Sequence, residues 1–111
     1  MIRLLLIVLL LAAGCGRNCT LDIRPSLLVF IEDADGEPVQ AEEVQFTETD
    51  LPELRPCTAG DDRSMWSCGQ ELGGAFLVRA EVDGRLYMAD ARVDSNDCGI
   101  ITESVWIQTT P

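Results

Sequence analysis

Five cysteines are the residues of this chain best equipped for chemistry: Cys15, Cys19, Cys57, Cys68 and Cys98. An odd count leaves at least one of them outside any intramolecular disulfide. There is no His and no Lys, and every basic residue is Arg. The side chain that most often serves as a general base near neutral pH is therefore missing. Asp and Glu number 19, but none stands in an apolar context that would raise its pKa for acid–base or glycosidase work. Asp33-Ala34-Asp35-Gly36 has the opening of a calcium loop, yet the third acidic position and the closing Glu are misplaced. Asp61-Asp62, with Asp50 and Glu53 nearby, reads as a solvated acidic loop. No glycine loop is patterned to cradle phosphate. With no metal and no cofactor implied, Trp66 and Trp106 remain as candidate ligand contacts, because exposed aromatics stack sugars or anchor partners.

The first cysteine belongs to a different kind of segment. Arg3 precedes an apolar run from Leu4 to Ala13, which ends in Leu11-Ala12-Ala13-Gly14-Cys15. A charged start, a short apolar stretch and small residues describe a secretory signal peptide over residues 1–14. Ten apolar residues are about half the ~20 that a transmembrane helix needs. A cysteine directly after the small residues resembles the lipobox of bacterial lipoproteins. That resemblance makes Cys15 the lipidated first residue of the mature chain, with residues 15–18 as a short tether. It implies a bilayer partner reached through acyl chains on Cys15, palmitate among them, and a place in the cell envelope. Gly16, rather than an inner-membrane Asp, points to the outer membrane, on its periplasmic or surface face.

Assigning Cys15 to lipid leaves four cysteines, which suits two disulfides in a small exported domain. Three pairings are open. We favour Cys57–Cys68, closing a short loop, and Cys19–Cys98, tying the start of the domain to the connection before its last strand. A zinc site is the rival, disfavoured because the four lack CxxC spacing and no His completes a mixed set. The formal charge of −11 excludes nucleic acid as a partner, since phosphate would be repelled.

A single domain over residues 19–111 must position these groups. Thr20 to Arg24 can begin a strand that Pro25 interrupts, and a Pro suits an edge or a strand start. Ser26 to Glu32 reads as a strand with both faces partly covered. Glu43 to Thr49 alternates, with Val44 and Phe46 on one side. Asp50 to Gly60 reads as irregular, Met65 to Gln70 as a short strand, and Gly73-Gly74 as a break. Phe76, Val78, Ala80 and Val82 share a face, as do Tyr87, Ala89, Ala91 and Val93, and Asp83-Gly84 between them predicts a two-residue hairpin. Asp94 to Gly99 reads as a loop. A last strand from Ile101 to Thr109 puts Ile101, Val105 and Ile107 on one face and Trp106 on the other. No helical periodicity is present. About seven short strands predict an all-β, antiparallel Greek-key β-sandwich.

The succession LLVFIEDADGEPVQAEEVQF, then GAFLVRAEVDGRLYMADARV, resembles the carboxypeptidase regulatory-like (transthyretin-like) β-sandwich domains, over roughly Arg24 to Gln108. The matching features are Asp33, the turn Gly36-Glu37-Pro38-Val39, the pair Val44 and Phe46, Gly74 to Ala80, and Gly84 to Tyr87. The closing CGIITESVWIQ is similar to the ending of small bacterial lipoproteins that carry such a domain. The resemblance implies a prealbumin/Ig-like sandwich and brings no catalytic residues with it. The expectation is a non-enzymatic, membrane-anchored module that binds a ligand, an envelope protein or a glycan. The alternative is a structural accessory subunit of a larger envelope assembly.

Overall fold

The computed structural model describes residues 23–110. The predicted signal peptide, the tether with Cys15, and Cys19 lie outside these residues.

The described chain is all β. Its strands are β1 (Pro25–Glu32), β2 (Glu43–Glu48), β3 (Arg55–Pro56), β4 (Thr58–Ala59), β5 (Met65–Gln70), β6 (Gly74–Val82), β7 (Arg85–Val93), β8 (Ser95–Asn96), β9 (Gly99–Ile100) and β10 (Glu103–Gln108). They form a sandwich. One sheet has the order β10-β1-β5-β4, the facing sheet has β3-β2-β6-β7, and β8-β9 is a separate small ribbon. The chain stays within one sheet through β2-β3, β4-β5, β6-β7 and β8-β9 and changes sheet at each connection between these pairs; β6-β7 is a tight hairpin. At its turn Asp83 (φ 52°) and Gly84 (φ 78°) are both left-handed, as the two-residue turn matched to strand twist requires.

Alternation places the core. Leu27, Val29 and Ile31 of β1, Trp66 and Cys68 of β5, and Val105 and Ile107 of β10 are buried from one sheet. Val44, Phe46, Phe76, Val78, Ala80, Val82 and Val93 meet them from the other. Phe46 and Phe76 touch in a tilted pair with centroids 6.1 Å apart, a favoured aromatic geometry. Gly69 marks the tightest packing. It has φ +73°, and a Cβ there would lie 3.1 Å from Ser26 Oγ and 3.4 Å from the Phe46 ring. Ser26, fully buried, accepts a hydrogen bond from the Leu72 N–H at 2.9 Å, so its hydroxyl is satisfied in the core.

Several sequence expectations are revised. Of the two places that suit Pro25, it takes the strand start: it opens β1, which lies inside its sheet between β10 and β5, while most of Thr20 to Arg24 lies outside the described residues. Residues 50–60 are not wholly irregular, because β3 and β4 form a strap: β3 pairs with Phe46 and Gln45 in one sheet, and β4 pairs with β5 in the other. Gly74 opens β6 instead of breaking the chain. The loop at 94–99 is a small hairpin, its turn held by the Asn96 side chain accepting from the Cys98 N–H at 2.8 Å. Ile101 is 49% exposed, and Ile100 is buried in its stead. The reason is that Ile101 still belongs to the hairpin, where its N–H bonds to the Asp94 carbonyl at 2.8 Å. Alternation restarts only at Glu103. Finally, among the described residues the pairing is antiparallel everywhere except one place: β10 runs parallel to β1. Parallel neighbours need a long connection, and the intervening chain through the facing sheet supplies it.

Candidate functional site

The expected disulfide Cys57–Cys68 is present, with Cα atoms 4.5 Å apart. Cys57 is the residue between β3 and β4, where the strap crosses between sheets, and its N–H bonds to the Val44 carbonyl at 2.8 Å. Cys68 is fully buried on β5. The bridge thus fastens one flank of the sandwich and is structural in setting. Cys98 is also disulfide-bonded, and its expected partner Cys19 lies outside the described residues.

The two tryptophans occupy opposite environments. Trp66 is 4% exposed, points into the core, and donates its indole N–H to the Arg63 carbonyl at 2.8 Å. The Arg63 guanidinium covers its ring at 5.2 Å. A ligand at the surface has no access to it. Trp106 is 60% exposed and stacks on Phe30 with centroids 5.0 Å apart and planes 20° apart.

The stacking follows from register. Phe30 lies opposite Trp106 on one side and opposite Met65 on the other. All three are on the outward side of their strands, because their neighbours Val29, Ile31, Val105, Ile107 and Trp66 are buried inward. The result is an aromatic and thioether row, Trp106–Phe30–Met65, across the solvent face of the sheet, with Met65 39% exposed. A row of Ser104, Leu28 and Ser67 lies on one side, and Gln108 and Glu32 lie on the other. An apolar strip of this kind, rimmed by hydroxyl, amide and carboxylate groups, can stack a flat apolar surface while fixing polar groups at its margins.

Phe30 and Met65 carried no functional signal in the sequence. Each reads as one more apolar strand residue, and only the parallel pairing of distant segments brings Phe30 beneath Trp106. The alternation of Leu28, Phe30 and Glu32 against Leu27, Val29 and Ile31 was the available hint.

The acidic turns do local work. Asp33 Oδ1 accepts from the N–H groups of Asp35 at 2.9 Å and Glu37 at 3.0 Å, which shapes the turn. The Asp62 carboxylate accepts from the Ser64 hydroxyl and from the Ser64 N–H, and these bonds hold its pKa below the ordinary 3.8. Among the described residues no three Cys, Asp or Glu side chains gather as a metal site would require. A concavity of about 590 Å³ is lined by Ile23, Phe46, Arg55, Ser67, Gln70 and Leu72 among others. The Arg55 guanidinium in its wall is paired with Glu48 at 3.1 Å and lies over Phe46 at 4.8 Å. Its rim starts at Ile23, the first described residue.

No family model matches this chain, and no curated protein matches it.

Proposed function

We infer that this protein is a non-enzymatic lipoprotein, anchored in the cell envelope through acylated Cys15, whose carboxypeptidase regulatory-like sandwich holds a partner against its outer aromatic row. The observation that supports the reading is the exposed Trp106 stacked on Phe30. A large apolar ring left in water has an unfavourable exposure that binding relieves, and such rings are enriched where partners dock. The surrounding Ser104, Ser67, Gln108 and Glu32 supply the polar rim that orients a ligand. The lipid anchor has its own chemistry: each buried CH₂ contributes ~0.8 kcal/mol, so more than one acyl chain gives stable residence.

Two measurements test the two halves. Intact mass of protein extracted from native membranes is expected to show an N-terminal Cys15 carrying acyl mass, and a soluble product with a free Cys15 thiol would sink the anchor. A glycan and peptide array probed with wild type and Trp106→Ala is expected to lose its signals in the variant. Identical profiles would sink the aromatic row as the contact surface.

A further inference from the structure

We propose that the open edge of β10 accepts an extended, basic segment of a partner protein by strand addition, with Trp106 packing against its cationic side chains. This rests on the reading of Trp106 as the contact residue and names the class of partner.

Among the described residues β10 is the outermost strand of its sheet. The Thr109 N–H bonds inward to the Glu32 carbonyl at 2.8 Å. Backbone groups alternate in direction along a strand, so Ser104, Trp106 and Gln108 turn their N–H and C=O groups to the open side. Free edges of this length are normally guarded by Pro, Lys, a bulge or a covering segment. β10, Glu-Ser-Val-Trp-Ile-Gln, has no Pro and no Lys, and its register with β1 is unbroken over six residues. Tyr87 and Thr110 approach near its end, the Thr110 N–H lying 3.3 Å from the Tyr87 oxygen. Further back, a groove of about 390 Å³ opens between β7 and β10.

Chemistry on the two sides of that edge describes the occupant. An added strand would turn alternate side chains outward, beside Trp106, and inward, over Ala89, Ala91 and Val105 of the groove. The inward positions suit small or β-branched apolar residues. The outward ones meet the Trp106 indole face on a chain of formal charge −11, which favours Lys or Arg through cation–π and charge attraction; the carboxylates Asp90 and Glu103 line the groove itself. Arg92, also in the groove, lies 3.6 Å from Asp94. A second copy of this chain is the wrong occupant, since each copy has a formal charge of −11 and like fields repel.

The probe is a capped synthetic peptide alternating Lys with Val and Thr, titrated against the full-length protein in detergent. Its controls are the same sequence with Glu for Lys and the same sequence N-methylated along one backbone edge. The Lys peptide is expected to bind at least about tenfold more tightly than the Glu peptide, and to weaken between ~0.02 M and ~0.5 M salt. Binding should protect the Trp106 and Gln108 amides from exchange and vanish on N-methylation. Ser104→Pro, which removes an N–H turned to solvent, should abolish binding too, and the N-methylated peptide tests the same backbone contact on wild type without relying on that variant's folding. Equal binding by the N-methylated peptide, or unprotected amides, would overturn strand addition. Loss of that binding in Trp106→Ala would leave the contact role of Trp106 standing. Self-association through β10 in place of peptide binding would also overturn the proposal. A Trp106→Ala variant indistinguishable from wild type toward every peptide and glycan would bring down the functional reading itself.

Discussion

Removing the Cys57–Cys68 bridge should cost this domain a large part of its stability, by an amount set by the loop it closes. The two cysteines are 11 residues apart, and closing a loop of that length removes about 2.8 kcal/mol of unfolded-chain entropy at 25 °C. For a domain of this size, that is a fall in Tm of roughly 11–22 °C. Cys57→Ala removes the crosslink and leaves the Cys68 sulfur in the core; Cys57→Ala with Cys68→Ala removes both, so their difference isolates the packing of a fully buried atom. Urea unfolding of the oxidised wild type and the two variants gives the energies, and amide exchange gives the location. The strap should loosen first: the Cys57 and Gly60 amides, bonded to the Val44 and Met65 carbonyls at 2.8 and 2.7 Å, should exchange faster while the β6–β7 ladder keeps its protection. A loss under about 0.5 kcal/mol in Cys57→Ala would refute the loop-entropy reasoning, given the typical 2–4 kcal/mol. Faster exchange spread evenly over β6 and β7 would refute the view that the bridge fastens one flank.

Arg63→Ala should destabilise by about 1.5–3 kcal/mol, the range for hydrogen bonds from a charged group. It breaks bonds to the Ala41 and Glu42 carbonyls at 3.1 and 2.6 Å and uncovers the Trp66 ring. Arg63→Lys should recover less than half of the loss in urea unfolding, because an ammonium cannot span both carbonyls. The Asp62 carboxyl, held below its ordinary 3.8 by the Ser64 hydroxyl first and the Ser64 N–H second, contributes stability that is complete above 3.8. That contribution is lost as pH falls from there through the lower folded value. Ser64→Ala should bring the Asp62 titration, followed by NMR, back up toward 3.8, and an unchanged titration would contradict the assigned cause.

Much of the fold was legible because the strands are amphipathic with period two. Phe76, Val78, Ala80 and Val82 in β6, and the Asp83-Gly84 turn after them, state their face and their hairpin in local chemistry. The Cys57–Cys68 pairing was legible from loop length. What local chemistry cannot state is register between distant segments. The parallel seat of β10 on β1 depends on how the intervening chain crosses the facing sheet, and with it goes the Trp106–Phe30 stack. Ile101 failed for a related reason: its alternation was extrapolated through a turn whose hydrogen bonds belong to another hairpin. Trp66 and Trp106 carry the same composition signal, and only the phase of each strand separates the core ring from the exposed one.

The two flanks of the sandwich differ in how they are closed, and that difference organises the functional reading. On one side the β3–β4 strap joins the sheets, and a disulfide fastens the strap to β5, so the described residues leave no long edge there for another chain. On the other side β7 and β10 each end a sheet, and the closest tie between them near Thr110 is a weak polar contact to Tyr87. Among the described residues no Pro, Lys or paired strand covers the six-residue edge of β10, and such an edge invites self-pairing in most small β domains. Here the formal charge of −11 suppresses pairing between copies over a Debye length of about 8 Å at physiological salt, while leaving the backbone groups of β10 open to a segment of opposite charge. Charge thus takes the place of the local guards, and it does so selectively. Raising salt weakens that guard and the attraction for a basic segment together, so a protein that self-associates at high salt and binds Lys-rich peptide at low salt, both through β10, would show one edge governed by one field.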